Sequence, residues 1–387
     1  MNNFRFHNPT RIIFGKGSIA KLSKQVPKKA KVLLLYGGGS IIENGVYNQV
    51  MSALKKREVL VFGGIEPNPD YDTLMKAVKL CRKKSINFLL AVGGGSVIDG
   101  TKFIAAAVPY TSKDPWEILS TGDDAAIESA LSFGTVLTLP ATGSEMNKNS
   151  VISRRSTEEK LAFNNPLIYP QFSILDPETT YSLPLKQVRN GIVDAYVHVM
   201  EQYLTYPVGG IVQDRQAEAI LQALIELAPK AMQIPPDYEG RANYMWAATN
   251  ALNHLISAGV PEDWATHDIG HEITAFYSLD HAETLALILP YVMWYKRDKK
   301  KSKLMQYGFR IWGLRTRKIE DRISQAIEKT AAFFHGLGMP TTLTAYGIDP
   351  DEAAERVKTR FEARGSVLGE HKDIYPEDVA AIIRMSR

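Results

Sequence analysis

Short apolar runs alternate with amphipathic stretches through the first half of the chain. Apolar runs at residues 32–36, 59–62, 88–92 and 134–139 predict buried strands, and the helical period at 71–84 predicts a helix. Strands that are apolar along their whole length need cover on both faces, as in a parallel sheet between two layers of helices. We therefore predict a Rossmann-like α/β fold for this half.

The second half carries a different pattern, because helical periods follow one another without strand-like runs. The change comes after a turn-rich segment that ends at Pro184. The predicted helices cover residues 188–204, 213–232, 241–258, 264–277 and 319–336. A chain of 387 residues is longer than one hydrophobic core usually supports. We therefore predict an α/β domain over residues 1–184 and an all-helical domain over residues 185–387.

Composition narrows the class of protein. With 45% hydrophobic and 23% charged residues the chain has the balance of a globular protein, and its net charge is only +4. A basic cluster at residues 296–303 is interpreted as solvated surface, so no nucleic-acid partner is expected. Cys81 is the only cysteine, which excludes an internal disulfide and a thiolate zinc cluster. No apolar run reaches the length of a membrane helix, and we predict a cytoplasmic protein without a membrane partner.

A glycine turn follows the predicted strand at residues 88–92. Gly94, Gly95 and Ser96 stand before a helix, where backbone amides and the helix N-terminus can receive a phosphate. An ordinary tight turn is the alternative, because the run is not the usual dinucleotide fingerprint. Asp99, just beyond, is either a partner of the helix dipole or a contact for a nicotinamide or a ribose hydroxyl.

A second glycine turn, after residues 32–36, bears on the choice of cofactor. Gly37, Gly38 and Ser40 offer backbone amides and a hydroxyl but no carboxylate. A carboxylate here would bind the ribose 2'-hydroxyl of NADH and would repel the 2'-phosphate of NADPH. The turn therefore favours NADPH, and a flexible turn without a ligand is the alternative.

A third polar segment follows the predicted strand at residues 134–139. It is rich in hydroxyl and amide side chains, among them Thr138, Thr142 and Asn147. Open α/β sheets bind ligands at the carboxyl ends of their strands. The segment is a candidate cofactor loop, although loops of this composition are often simple turns.

Histidines concentrate in the helical half, where five of the eight lie between residues 198 and 281. Asp194 and His198 are four residues apart on a predicted helix, so both side chains leave the same face. His267 and His271 repeat this spacing, and His281 follows shortly after.

Asp194, His198, His267 and His281 together offer one carboxylate and three imidazoles, which suit zinc or ferrous iron. Capping residues or core histidines satisfied by hydrogen bonds are the alternative. The segment that begins at His271 and Glu272 has no histidine at position 275, so a zinc protease motif is incomplete.

This combination of motifs resembles the iron-containing, or group III, alcohol dehydrogenases. Within that family it is similar to the branch of NADPH-dependent aldehyde reductases and butanol dehydrogenases. The resemblance covers essentially the whole chain. It includes the segments 14–17, 63–69, 93–99, 139–145 and 263–267.

The resemblance implies a dinucleotide-binding α/β domain followed by an all-helical metal-binding domain, in the architecture of dehydroquinate synthase, with the active site in the cleft between them. It implies Asp194, His198, His267 and His281 as metal ligands, and His271 and Asp99 as catalytic residues near the nicotinamide. It assigns cofactor contacts to Gly37, Gly38, Ser40, Asn68, Gly94, Gly95, Ser96, Asp99, Thr138, Thr142, Asn147 and Lys160. A homodimer is expected from the family.

The expected activity is hydride transfer between NADP(H) and a small aldehyde or primary alcohol, assisted by one divalent metal ion. Iron, zinc and nickel all remain candidates for the metal. Two alternatives from other classes remain open. One is a synthase or lyase of the same fold with a transient redox step, which would need a basic pocket for an anionic substrate. The other is a metal hydrolase, which would act without a nucleotide, while a noncatalytic protein would leave the phosphate turns and the ligand cluster unexplained.

Overall fold

The computed structural model describes residues 1–112, 114–121 and 127–387. These fall into two compact units. The α/β unit contains residues 7–188 and 230–253. The helical unit contains residues 1–6, 189–229 and 254–387. The boundary predicted after residue 184 stays a prediction.

The elements are numbered in chain order. The strands are β1 Arg11–Phe14, β2 Lys31–Tyr36, β3 Glu58–Phe62, β4 Phe88–Gly94, β5 Phe133–Leu139, β6 Asn149–Arg154, β7 Glu159–Asn164 and β8 Phe172–Leu175. The helices are α1 Leu22–Gln25, α2 Ser40–Glu43, α3 Val46–Ala53, α4 Tyr71–Lys84, α5 Gly95–Ala107, α6 Glu117–Ser120, α7 Leu185–Tyr203, α8 Ile211–Ala231, α9 Tyr238–Ala251, α10 Ala265–Tyr277, α11 His281–Tyr295, α12 Lys301–Arg310, α13 Ile319–Gly336, α14 Pro350–Arg364 and α15 Pro376–Met385. Short 3₁₀ turns cover Ser18–Lys21, Ser144–Met146, Arg155–Thr157, Pro166–Ile168, Pro177–Thr180 and Thr344–Tyr346.

A six-stranded parallel sheet organises the α/β unit, with the order β1-β8-β5-β4-β2-β3. The chain passes from β2 to β3 on one side and then returns to place β4 on the other side of β2. The sheet therefore has a topological switch point between β2 and β4. Such a point is where open α/β sheets receive ligands, at the carboxyl ends of the strands. Strands β6 and β7 form a separate antiparallel pair.

Apolar side chains on both faces of the sheet explain its position in the core. On β2, Leu33 and Leu35 enter one hydrophobic cluster, while Val32 and Leu34 enter the cluster on the opposite face. Because a strand alternates its side chains between two faces, a continuous apolar run buries both of them. Helix α4 adds Cys81 to the first cluster, where burial raises the pKa of its thiol to about 12.

The four strands predicted from apolar runs are confirmed as β2, β3, β4 and β5, with ends that differ by at most two residues. Helix α4 covers the predicted residues 71–84. The sequence pattern missed the edge strand β1, the inner strand β8 and the pair β6 and β7.

Helices alone form the secondary structure of the helical unit, apart from 3₁₀ turns and one isolated bridge between Leu368 and Ile374, as far as the chain is described. Its core includes apolar side chains of α10, α11, α14 and α15. The predicted fold class is therefore confirmed. Within the described residues no helix is both long enough and apolar enough to cross a membrane.

The helix predicted over residues 241–258 is too long, because α9 ends at Ala251. His254 follows with φ of 66°, in the left-handed region, which an α-helix cannot accommodate. An apolar period that continues through a turn explains the error.

Candidate active site

Three helices supply the histidine cluster of the helical unit. Asp194 and His198 lie one turn apart on α7, and His267 lies on α10. His281 is the first residue of α11, whose N-terminus is fixed by a capping box at Asp280. Asp194, His198 and His267 are buried, and His281 is partly exposed. The predicted spacing therefore brings all four side chains to one place.

The ligand atoms of this cluster lie close together. Those of Asp194, His267 and His281 are all within 4.8 Å of one another. His281 Nε2 is 3.6 Å from Asp194 Oδ1. His198 joins the group through its two ring nitrogens, since Nδ1 is 3.5 Å from Asp194 Oδ1 and Nε2 is 3.1 Å from His267 Nε2.

The electrostatics of the cluster favour a neutral imidazole at His198. Burial lowers the pKa of His198 to about 4, although Asp194 opposes this shift. A neutral ring keeps a nitrogen lone pair, which is the form that binds a metal ion. One carboxylate and three imidazoles, mostly buried and converging within a few ångströms, fit a divalent transition metal.

Glu201 contacts His267 at its ring Nδ1 and its backbone N–H. One carboxylate oxygen is hydrogen-bonded to His267 Nδ1, and the other accepts the backbone N–H of His267 at 3.0 Å. A carboxylate on Nδ1 fixes the tautomer in which Nε2 carries the lone pair. Burial raises the pKa of Glu201 well above its ordinary value, and the His267 backbone N–H opposes this shift. The sequence analysis missed Glu201.

His271 lies beside the cluster, one turn after His267 on α10. Its ring centroid is 5.9 Å from that of His267 and 5.2 Å from that of His281. The side chain is buried. It is therefore close enough to contact a substrate held on a metal ion that the other four residues bind.

In the α/β unit, the two glycine turns follow β2 and β4 at the switch point. Gly38 is exposed, and a Cβ atom added there would meet nothing within 4 Å. Gly39 has φ of 109°, which L side chains rarely adopt, and it precedes α2, whose first residue is Ser40. The turn thus presents open backbone and a hydroxyl at a helix N-terminus, as phosphate binding requires.

The turn after β4 leads directly into α5, since Gly94 is the N-cap and Gly95 the first helical residue. A Cβ atom on Gly94 would lie 2.9 Å from Leu139, and one on Gly95 would lie 2.6 Å from Thr142. These glycines therefore let the end of β5 and its following loop approach the helix. Ser96 is the second residue of α5 and is only partly buried.

The loop after β5 is held by its own polar groups. Thr142 Oγ1 accepts the backbone N–H of Ser144 at 3.2 Å. Asn147 donates to the carbonyls of Thr142 at 3.3 Å and Leu252 at 3.1 Å. Its oxygen accepts from Lys102 at 2.9 Å and from the backbone N–H of Asn149 at 3.0 Å. The amide of Asn147 is thus occupied within the protein, and its predicted contact with the cofactor stays a prediction.

Asp99 lies in the second turn of α5, which removes the basis for a contact with the helix dipole at the first turn. Its carboxylate accepts from Ser144 Oγ at 2.5 Å and from the backbone N–H of Val151 at 3.0 Å. Burial raises the pKa of Asp99, while the charges of Lys102 and Lys160 oppose this shift. Lys160, a buried residue of β7, is thus close to Asp99.

The other predicted cofactor contacts also belong to the α/β unit. Thr138 is a buried residue of β5, one position before its end. Asn68 has φ of 52° in the loop that precedes α4. Gly37 approaches the backbone carbonyl of Ile65, which an added Cβ atom would meet at 3.2 Å.

Two buried charged residues in this unit were not predicted from the sequence. Lys102 on α5 and Glu145 after β5 are both fully buried. Glu145 accepts from Thr249 Oγ1 at 2.5 Å, and burial raises its pKa. A lysine among the apolar residues of a helix that is buried on nearly every side was the available signal.

The helical cluster fits a divalent metal ion and the glycine turns fit a nucleotide phosphate, and comparison with known proteins identifies the class as an oxidoreductase. Residues 9–177 match the model of the iron-containing alcohol dehydrogenases, and residues 189–386 match that of the C-terminal part of the same family. The chain belongs to the iron-containing alcohol dehydrogenase family. It is an enzyme that acts on alcohols and aldehydes.

Individual relatives narrow the branch. The chain is 56% identical over 375 residues to the NADPH-dependent aldehyde reductase YqhD of Escherichia coli, covering 97% of each protein. It is 42% identical over 379 residues to NADP-dependent alcohol dehydrogenase 3 of Entamoeba histolytica, covering 97% of this chain and 96% of the relative. The crystal structure of E. coli YqhD superposes with a TM-score of 0.98 and 54% identity, covering 100% of this chain and 99% of that one. The predicted family and aldehyde reductase branch are confirmed.

Proposed function

We propose that the enzyme reduces small aldehydes with NADPH, and oxidises the corresponding primary alcohols with NADP⁺, with the help of one divalent metal ion. The observation that carries this proposal is the convergence of Asp194, His267 and His281, with ligand atoms within 4.8 Å of one another. His198 is the proposed fourth ligand. Iron and zinc suit this ligand set, and nickel is a further candidate.

The bound groups would supply the chemistry: the cation would polarise the carbonyl oxygen as a Lewis acid, and NADPH would provide the hydride. The protein's own part is orientation and proton transfer. Glu201 holds His267 in the tautomer that leaves Nε2 available. His271 would relay a proton to the substrate oxygen during reduction: one ring nitrogen would give up its proton while the other takes one from water.

Cofactor binding is proposed for the turns after β2 and β4 and for the loop after β5. Backbone amides at Gly94, Gly95 and Ser96 would hold the pyrophosphate. Gly37, Gly38 and Ser40 would receive the 2'-phosphate, in keeping with the NADPH dependence of the 56% identical relative. Asn68, Asp99, Thr138, Thr142, Asn147 and Lys160 complete the proposed set of contacts. A homodimer and a cytoplasmic location remain predictions.

Replacing His281 with alanine tests the function. We expect the purified variant to lose its metal ion and to reduce short aldehydes more than about 100-fold more slowly, a larger effect than the loss of a group behind a ligand. NADPH affinity, measured by the fluorescence of the bound cofactor, should change little. Elemental analysis and aldehyde-dependent NADPH oxidation provide the other two measurements.

His335→Ala is the matched control, because His335 lies on α13 and its Nε2 is 2.8 Å from Thr341 Oγ1. It should keep metal and activity. Undiminished turnover by a His281→Ala protein shown to be free of metal would refute the proposed mechanism. Hydrolytic activity of the wild type in the absence of any nucleotide would instead favour the metal hydrolase.

A further inference from the structure

Lys102 is a buried cation of the α/β unit that the proposed chemistry does not use. It lies on α5 with a relative exposure of 0%. Its ammonium donates three hydrogen bonds, to Ser144 Oγ at 2.8 Å, to Asn147 Oδ1 at 2.9 Å and to the backbone carbonyl of Asn149 at 2.7 Å. An ammonium has three N–H donors, so every donor of Lys102 is engaged.

These three acceptors belong to one stretch of chain. Ser144 and Asn147 are in the loop after β5, and Asn149 is the first residue of β6. The loop contains Thr142, whose side chain packs against Gly95 at the start of α5. Lys102 therefore connects the loop after β5, through hydrogen bonds, to the helix that begins at the proposed pyrophosphate site.

A second path leads from Lys102 to Asp99. Ser144 Oγ accepts from Lys102 and donates its own hydrogen to Asp99 Oδ1 at 2.5 Å. The other oxygen of Asp99 accepts the backbone N–H of Val151 at 3.0 Å. The carboxylate of Asp99 is thus oriented by a chain of hydrogen bonds that starts at the buried ammonium.

The charge of Lys102 also matters for its neighbours. It offsets the effect of burial on the two carboxyl groups Asp99 and Glu145, since it lowers the pKa of each. In return, burial lowers the pKa of Lys102 to about 8 although both acids oppose this shift. One cation thus balances two partly or fully buried acids, and buried charges without such partners are costly.

We propose that Lys102 is a positioning residue for NADP(H), which holds the loop after β5 and the carboxylate of Asp99 in the arrangement that receives the cofactor. This inference rests on the proposed function. Lys102 contacts neither the cofactor nor the substrate in this scheme. It acts through Ser144, Asn147 and Asp99.

Lys102→Met is the direct test, because methionine keeps most of the length of the side chain but removes the charge and the donors. The dissociation constant of NADPH, measured by fluorescence titration of the metal-loaded protein, should rise roughly tenfold or more. The KM for NADPH should rise in parallel, while the KM for the aldehyde and the metal content stay close to those of the wild type.

Lys303→Met is the matched control for a buried lysine. Lys303 lies in the helical unit, pairs with Asp214 and also has a pKa lowered by burial. Its loss should lower the melting temperature without changing NADPH affinity. If Lys102 were only structural, the two variants would show the same result, with less stability and unchanged affinity.

Ser144→Ala keeps the test decisive if Lys102→Met does not fold. This change interrupts the path to Asp99 but leaves two of the three hydrogen bonds of Lys102. NADPH affinity should fall by about threefold to tenfold, in line with the net contribution of one hydrogen bond. Thr101→Ala is its control, because Thr101 Oγ1 bonds only to the carbonyl of Val97, at 2.8 Å, among the described contacts.

The experimental outcomes distinguish failure of the role proposed for Lys102 from failure of the proposed function. If the wild type binds NADPH, a folded Ser144→Ala protein that binds it equally tightly would overturn the proposed role of Lys102. A wild type that binds no NADPH would instead refute the proposed function.

Discussion

Glu201 is a buried acid that contacts His267, one of the proposed metal ligands, and it can therefore change the affinity of the proposed metal site. Its two oxygens hold His267 through the ring Nδ1 and the backbone N–H. Partners of this kind fix the orientation of the imidazole and increase its basicity toward a cation. An amide in this position would keep only one of the two acceptor oxygens.

The variant Glu201→Gln is therefore expected to fold and to bind its metal ion about 10- to 100-fold more weakly. Competition with a chelator of known affinity measures this change. Glu218→Gln is the control, because Glu218 is also buried in the helical unit but bonds to Tyr203 and Arg310. An equal loss of metal affinity in both variants would contradict the role of Glu201.

Gly38 allows a clean test of cofactor choice at a single residue. Its φ is not in the left-handed region and its Cβ position is open, so a side chain can be added without strain. Gly38→Asp should raise the KM for NADPH by about tenfold or more through repulsion of the 2'-phosphate.

Gly38→Asn adds a side chain of the same size without charge, and it separates repulsion from steric effects. It should raise the KM for NADPH much less than Gly38→Asp does. Steady-state kinetics with NADPH and NADH measure both variants. Equal KM values for Gly38→Asp and the wild type would show that the 2'-phosphate is bound elsewhere.

At this scale the sequence predicted the residues whose spacing carries information. Asp194 and His198 are four residues apart and share a helix face. His267 and His271 have the same spacing and His281 follows shortly after, so the convergence of these side chains could be expected. Glu201 and Lys102 could not be identified in the same way. A single charged residue in a helix is usually solvated. The apolar residues around Lys102 were a signal of burial, whereas only the packing of other elements shows that Glu201 is buried.

Among the elements, the segment between α14 and α15 is fixed by a buried ion cluster. Lys300 Nζ donates to Glu370 Oε2 at 2.8 Å, to Asp263 Oδ2 at 2.7 Å and to the carbonyl of Leu204 at 2.5 Å. Two carboxyl groups thus share one ammonium. The prediction that the basic cluster at residues 296–303 is solvated surface is wrong for Lys296, Lys300 and Lys303, which are buried and paired with acids. Burial and the hydrogen bond with Asp263 raise the pKa of Glu370 to about 7.

This cluster should make stability depend on pH near neutrality. Because the pKa of Glu370 is higher in the folded state, its stabilising contribution is present below its ordinary pKa and is lost as the pH rises through about 7. Glu370→Gln should therefore flatten the fall in melting temperature between about pH 5 and pH 8. Thermal unfolding across this range is the measurement.

Glu320→Gln serves as the control, since its ion pair with Lys301 is largely exposed. Exposed pairs contribute little to stability, so this variant should follow the wild-type pH dependence. A Glu370→Gln protein with an unchanged pH profile would contradict the raised pKa.

The pattern predicted those elements whose apolar runs are long and continuous. β2, β4 and β5 each have at least six residues and lie in the middle of the sheet. β1 and β8 have only four residues each and include Arg11 and Ser173, so neither has an uninterrupted apolar run like the one that predicted β3. β6 and β7 carry polar residues on both faces, and their pairing with each other could not be read from either strand alone.

For the whole molecule, the sequence order differs from the spatial grouping. The α/β unit includes residues 230–253 as well as residues 7–188. Helix α9 in this returning segment provides the Thr249 hydroxyl for Glu145, and the carbonyl of Leu252, after the helix, accepts from Asn147. The hydrophobic pattern along the sequence indicates where strands give way to helices. It cannot show that a helix later in the sequence packs into the earlier α/β unit.

The returning segment also has a consequence for the order of events during synthesis. All strands of the sheet will have left the ribosome well before residues 230–253 emerge. Until then the nascent sheet lacks the donor for Glu145 and one acceptor for Asn147. The part of the protein that is translated first should therefore become fully stable only after this much later segment has been synthesised.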